Sequence, residues 1–174
     1  MANLNRNRSD FDVMEHVMRP DLILQELHRV LRRGGTAIIV FTPYYGMFSH
    51  HLNYMTLFPA LHWCFPPPVL VDAVNELLAS EPAFAALGVG RQPKPGWSFN
   101  GKRRCLPLLN GMTGGEYLRL VEECGFRLVY VRHTPILERF PLLGGPGKAA
   151  NRFLVKVPVL AEYFAHNLLS VLSR

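Results

Sequence analysis

Two carboxylates and an imidazole crowd one short turn of the sequence, Asp12-Val13-Met14-Glu15-His16-Val17. An imidazole titrates near working pH, so His16 can take a proton from a hydroxyl presented to it. The same residues also suit a plainer role, ordering the turn that precedes Pro20. Downstream, Thr42-Pro43-Tyr44-Tyr45, His50-His51, Asn53-Tyr54 and His62-Trp63 form a stretch rich in aromatic and imidazole rings. Tyr44, Tyr45 and His50 are its candidates for contact with a ligand, and packing of surface aromatics is the alternative for the two tyrosines. A third cluster, Arg91, Lys94, Lys102, Arg103 and Arg104, is interleaved with Trp97 and Phe99 and holds no acidic residue. Such a loop could bind a phosphate or carboxylate, grip a single nucleic-acid strand, or simply be a solvated lid. With no basic helix beside it, it points to no clear nucleic-acid partner.

These residues need elements to hold them. From Pro20 the pattern is helical, with Ile23, Leu27, Val30 and Leu31 at i, i+4, i+7 and i+8. Pro20 suits a first turn, Arg29, Arg32 and Arg33 complement the negative helix end, and Gly34 can take the left-handed position beyond it. Ala37 to Phe41 is a continuous apolar run, the signature of a strand buried on both faces of a parallel sheet. Leu70 to Leu78 reads as a helix, while His62-Trp63 and Pro66-Pro67-Pro68 read as a rigid apolar cover. Thr113-Gly114-Gly115-Glu116 is a capping box that opens a helix striped by Tyr117, Leu120, Val121 and Cys124 and closed by Gly125. Cys124 on that stripe is a core residue. Phe126 to His133 follows as a strand, Asn151 to Phe164 as helical segments broken at Pro158, and Asn167 to Leu172 as a final strand.

The chain has 174 residues, 49% hydrophobic, with mean hydropathy +0.09, values that fit one globular domain with a sizeable core. No apolar run is long enough to span a membrane, since Leu52 to Val74 is interrupted by Pro59 and the triple proline. The polar start lacks a signal peptide's apolar segment, and residues 1–9 read as a disordered or artificial start. Three widely spaced cysteines, Cys64, Cys105 and Cys124, suit reduced thiols in a cytoplasmic compartment and show no zinc spacing.

The run from Asp12 to Pro43, with the helix opening at Thr113, resembles class I S-adenosylmethionine-dependent methyltransferases, in the methyltransferase type 11-like branch that carries a D-V-x-E-H-V turn. The resemblance covers roughly residues 10–172 and is specific over 11–43 and 110–128. It implies an α/β fold: a partial doubly wound, Rossmann-like sheet of the family's last four strands, with a long insertion (44–110) after the fifth. In that fold the closing strand lies antiparallel between two parallel ones. The resemblance also implies that Ser9 to Val13, Asp12 and Val13 above all, border the cofactor, and that Glu15-His16 begin the wall of the acceptor pocket. Tyr44, Tyr45 and His50 would then line that pocket, with His16 as catalytic base. Some relatives hold a divalent ion in this turn, and Asp12, Glu15, His16 and His50 or His51 could do so here. The turn is common without metal, and none is assigned. The aromatic segment implies an acceptor with an apolar portion, a small or lipid-like molecule methylated on O or N.

In that family a glycine-rich loop and an acidic strand end precede this region and hold most of the cofactor. Here Gly34-Gly35, Gly114-Gly115 and Gly144-Gly145-Pro146-Gly147 lack the G-x-G-x-G spacing after an apolar strand. The expectation is thus the C-terminal part, residues 10–174, of an N-terminally truncated methyltransferase domain. The alternative is a catalytically inactive, methyltransferase-like partner that pairs with an intact enzyme.

Overall fold

The computed structural model describes residues 8–11, 13–139 and 145–174. In chain order its elements begin with β1 (Arg8–Phe11), α1 (Pro20–Val30), β2 (Thr36–Phe41), α2 (Leu61–Cys64), α3 (Pro67–Ser80) and α4 (Pro82–Ala85). They continue with β3 (Gly96–Trp97), β4 (Arg104–Cys105), α5 (Gly114–Glu123), β5 (Arg127–Pro135), α6 (Gly145–Leu154), α7 (Pro158–Ala161) and β6 (Ala165–Ser173).

The main sheet has the order β1-β2-β6-β5. β1 and β2 are parallel, with Arg8 opposite Ala37 and Phe11 opposite Val40, and α1 supplies the crossover that parallel strands require. β6 runs antiparallel to both neighbours, so Ser170 stands opposite Ile39 on one side and Val131 on the other. The chain is therefore mixed α/β, with its closing strand antiparallel between two parallel ones. Arg8 and Ser9, expected in a frayed start, pair with Ala37 and Ile38 instead, because two apolar-flanked strands satisfy their backbone groups there. Residues 1–7 lie outside the described residues.

The main core lies between this sheet, α1 and α5. Leu24, Leu27 and Leu31 pack with Ile39, Phe41, Met112, Tyr117, Val121, Leu168 and Leu172. Ile23 and Val30, placed on the buried stripe by their spacing, are 43% and 49% exposed. The inward face is the neighbouring row 24-27-31, since Leu24 is fully buried and fixes the helix rotation. α1 also ends before Arg32 and Arg33. Its last carbonyls are capped from the far end of the chain, where the Arg174 guanidinium donates to the carbonyls of Arg29 and Leu31. Gly34, at φ +72°, turns the chain so that its amide meets the Arg174 carbonyl at 3.0 Å.

The capping box at Thr113 is present in both halves, and the Tyr117 hydroxyl meets Ser170 Oγ at 2.5 Å inside the core. Cys124 is half-buried against this core. The triple proline is not a cover: it starts α3, where prolines at the first helical positions lose no hydrogen bond. α3 buries Leu70, Val71 and Val74 against Leu52 and Leu106 in a second, smaller core. The final strand begins at Ala165, ahead of the expected Asn167.

One salt bridge ties the β3–β4 hairpin to α5. Arg103 Nη1 lies 2.7 Å from Glu116 Oε2 and Nη2 lies 3.0 Å from Oε1, while Asn100 and the Thr113 amide also donate to this carboxylate. Arg103 thus turns inward from the loop read as solvated. Burial pushes the Glu116 carboxyl up, but Arg103, the Thr113 amide and Asn100 outweigh it and hold the pKa at about 2. Because this lies below the ordinary 4.5, the stabilisation is complete above about pH 4.5 and is lost as pH falls toward 2. Glu116→Gln should cost on the order of 3 kcal/mol at pH 7, with a smaller deficit near pH 2, read by urea denaturation across that range.

Candidate functional site

A cavity of about 240 Å³ opens where the turn after β1 meets the insertion. Leu52, Val71, Val74, Leu106 and Leu109 give it apolar walls, Tyr54 and Gln92 lie at its side, and His16, His50 and His51 line it together. Five separate stretches of chain, at 16, 50–54, 71–74, 89–92 and 106–109, must meet to build it.

The first is a single 3-10 turn, Met14–His16. Met14 and Glu15 point inward and are buried, whereas His16 is exposed. Asn110 holds this turn. Its side-chain amide donates to the Met14 carbonyl at 2.6 Å and the Val17 carbonyl at 2.7 Å, and its backbone N–H donates to the Glu15 carbonyl at 2.7 Å. Its Oδ1 accepts from the Met112 amide at 2.9 Å. Next to it Gly111 has φ +64°, and a Cβ there would overlap Cys105 Sγ, so only glycine fits.

His16 is oriented by the backbone. Its Nδ1 lies 2.8 Å from the Leu108 carbonyl. A carbonyl can only accept, so Nδ1 carries the proton and the neutral ring keeps its lone pair on Nε2. Leu108 adopts φ +65° although its side chain is 75% exposed. A left-handed leucine costs roughly 1–2 kcal/mol, and here that conformation accompanies the carbonyl that orients His16. His51 is likewise left-handed at φ +55°. Two of the three described non-glycine residues with positive φ therefore line one cavity.

His50 is 2% exposed, and its Nδ1 accepts from the Leu52 amide at 3.0 Å. Burial pushes its pKa below the usual 6.5, with the Phe58 carbonyl opposing, so it is neutral at pH 7 with its proton on Nε2. Behind it His62 is held down at about 4, first by burial and then by His50. Glu15 Oε1 lies 3.9 Å from His51 Nε2 and 3.5 Å from the Thr42 amide. Glu15, His16 and His51 each bring one ligand atom within 4.8 Å of the others, a mixed O/N set suited to a divalent transition ion. Of the two histidines the sequence offers for such a set, the geometry selects His51. A metal and a transferred proton would compete for the His16 Nε2 lone pair.

Tyr44 and Tyr45 stand apart from the lining of this cavity. Tyr44 packs against Tyr45 at 5.2 Å and His62 at 5.7 Å, with the Arg103 guanidinium 5.3 Å over its ring. Tyr45 stacks on Tyr163 at 5.1 Å, and its amide donates to Glu162 at 3.0 Å. Asp12 lies outside the described residues. Val13 is 48% exposed and offers an apolar side chain. Asn110 and Leu108 escape sequence reading: Asn110-Gly111 signals a turn, but not which distant carbonyls its side chain will reach.

No family model matches the chain, and no curated protein matches it. Among solved structures it is similar to an S-adenosylmethionine-dependent methyltransferase from Mesorhizobium loti, at 14% identity and TM-score 0.43, over 95% of this chain and 60% of that one. It is also similar to a proposed methyltransferase from Bacillus halodurans C-125, at 14% identity and TM-score 0.38, over 95% of this chain and 67% of that one. The chain thus spans 60% of the length of the first of these structures. No described helix is long and apolar enough to cross a membrane.

Asn110→Ala strands the buried Met14 carbonyl and Met112 amide and the half-buried Val17 carbonyl at once. It should cost about 3 kcal/mol or more in chemical denaturation, well beyond an ordinary Asn→Ala change.

Proposed function

We propose that this chain is the acceptor-side part of a class I S-adenosylmethionine-dependent methyltransferase domain, transferring a methyl group to O or N of a small or lipid-like acceptor. The observation that most supports this is the strand order β1-β2-β6-β5, with β6 antiparallel between β2 and β5. It is the order the resemblance implies for the family's last four strands. The turn after β1 also lies at the carboxyl end of a parallel strand, the side of such sheets where ligands sit.

When bound, S-adenosylmethionine supplies an electrophilic methyl group. On this reading the chain's own residues serve the acceptor. The apolar walls exclude water and align the nucleophile, a contribution of proximity. His16 Nε2 takes the acceptor's proton, and the Leu108 carbonyl holds its tautomer. Neutral His50 donates from Nε2 to a polar atom of the acceptor. Tyr44 and Tyr45 pack outside this cavity, with the Arg103 guanidinium over the Tyr44 ring.

Calorimetric titration with S-adenosylhomocysteine tests this. The 174-residue chain should bind more weakly than about 100 µM, and a longer chain translated from upstream of Met1 should bind in the micromolar range. Tight binding by the 174 residues alone would contradict the truncated arrangement. Failure of the longer chain would contradict the methyltransferase reading and favour the inactive partner.

A further inference from the structure

Beside the histidine-lined cavity runs a groove of about 530 Å³ between α3 and residues 91–95. Its separation is fixed. Asn75 on α3 donates to the Gln92 carbonyl at 3.0 Å and accepts from the Gln92 amide at 2.7 Å, so the backbone is clamped in both directions. Pro93 and Pro95 follow and stiffen the strip that forms the opposite wall. A groove held open this way presents its side chains without first having to order them.

Those side chains are cationic. Arg91, Lys94 and Arg104 line the groove against one carboxylate, Asp72. Arg104 rests over the Trp97 ring at 4.9 Å, so an aromatic face positions it, and it forms no salt bridge among the described residues. Arg103, the neighbouring cation, is the one consumed internally by Glu116. The hairpin therefore divides its adjacent arginines, one to hold the fold and one to face the groove.

The groove and the cavity share two wall residues, Val71 and Gln92. We infer that they form one extended site for an amphipathic acceptor: the apolar portion lies in the cavity under His16 and His50, and a phosphate group lies in the groove against Arg91, Lys94 and Arg104. A phosphate dianion matches three cations better than a neutral head group does, and arginines engage its oxygens in pairs. This rests on the acceptor reading of the cavity above, and it narrows the acceptor to a phosphate-bearing amphiphile.

The test needs no cofactor. Octyl phosphate, 1-octanol and inorganic phosphate are titrated into the 174-residue chain by heteronuclear NMR at low salt, with the Arg91→Gln/Lys94→Gln variant alongside. Octyl phosphate should bind at least about tenfold tighter than either octanol or inorganic phosphate. In the variant, whose two changes are exposed, its advantage over octanol should fall to about twofold or less. Equal affinity for octyl phosphate and octanol, or an advantage retained in the variant, would overturn the anion site. Inorganic phosphate binding as tightly as octyl phosphate would overturn the union of groove and cavity. Because binding is read without S-adenosylmethionine, loss of the methyltransferase reading leaves this outcome separately measurable.

Discussion

Asn110 is the residue on which the site depends. A buried asparagine has two donors and an acceptor to satisfy, and here all of them go to backbone groups, those of Met14 and Val17 on one side and Met112 on the other. Its own backbone adds the Glu15 and Phe99 links. Five hydrogen bonds from one residue therefore join the turn after β1, the β3–β4 region and the entry to α5. Such a network is worth keeping only when complete, since each orphaned group would cost its full desolvation. Completed, it fixes a short 3-10 turn that has few contacts of its own and so gives His16 one orientation.

The rest of the insertion is tied down by charge in the same spirit. Arg103 and Glu116 are paired and hydrogen-bonded to neighbours, so the desolvation cost of each is met locally. Glu162 accepts from the Tyr45 and Gly114 amides and binds the start of the insertion to the N-terminus of α5, and burial raises its pKa. Between these anchors the small core around Leu70, Val71, Val74 and Leu106 has freedom only to shape cavity walls. Rigid sheet, anchored turn and preformed cavity are successive consequences of satisfying buried polar groups.

Elements with strong local signals were legible in the sequence. The apolar run 37–41, the Thr113 capping box and the glycine closing α5 each carry their own physical cause, and each forms as read. The rotation of α1 was not legible, because Leu22, Ile23, Leu24, Leu27 and Val30 offer two apolar rows and tertiary packing decides between them. Prolines 66–68 look identical before a helix or in a rigid loop. At the site, His16 and His50 were visible by residue type, yet the clamp joining positions 14 and 17 to 110 spans more than 90 residues and leaves no local trace. Arg103 and Arg104 are chemically alike in sequence, and only the hairpin's pleat sends one inward and the other out.

The most direct measurement of this arrangement is the tautomeric state of His16, from long-range proton–nitrogen correlations in the ¹⁵N-labelled chain at neutral pH. The expected result is a proton on Nδ1, held by the Leu108 carbonyl, with the lone pair on Nε2. A neutral ring protonated on Nε2 would mean that the clamp does not present a base to the cavity, and the chemistry assigned to this turn would be wrong.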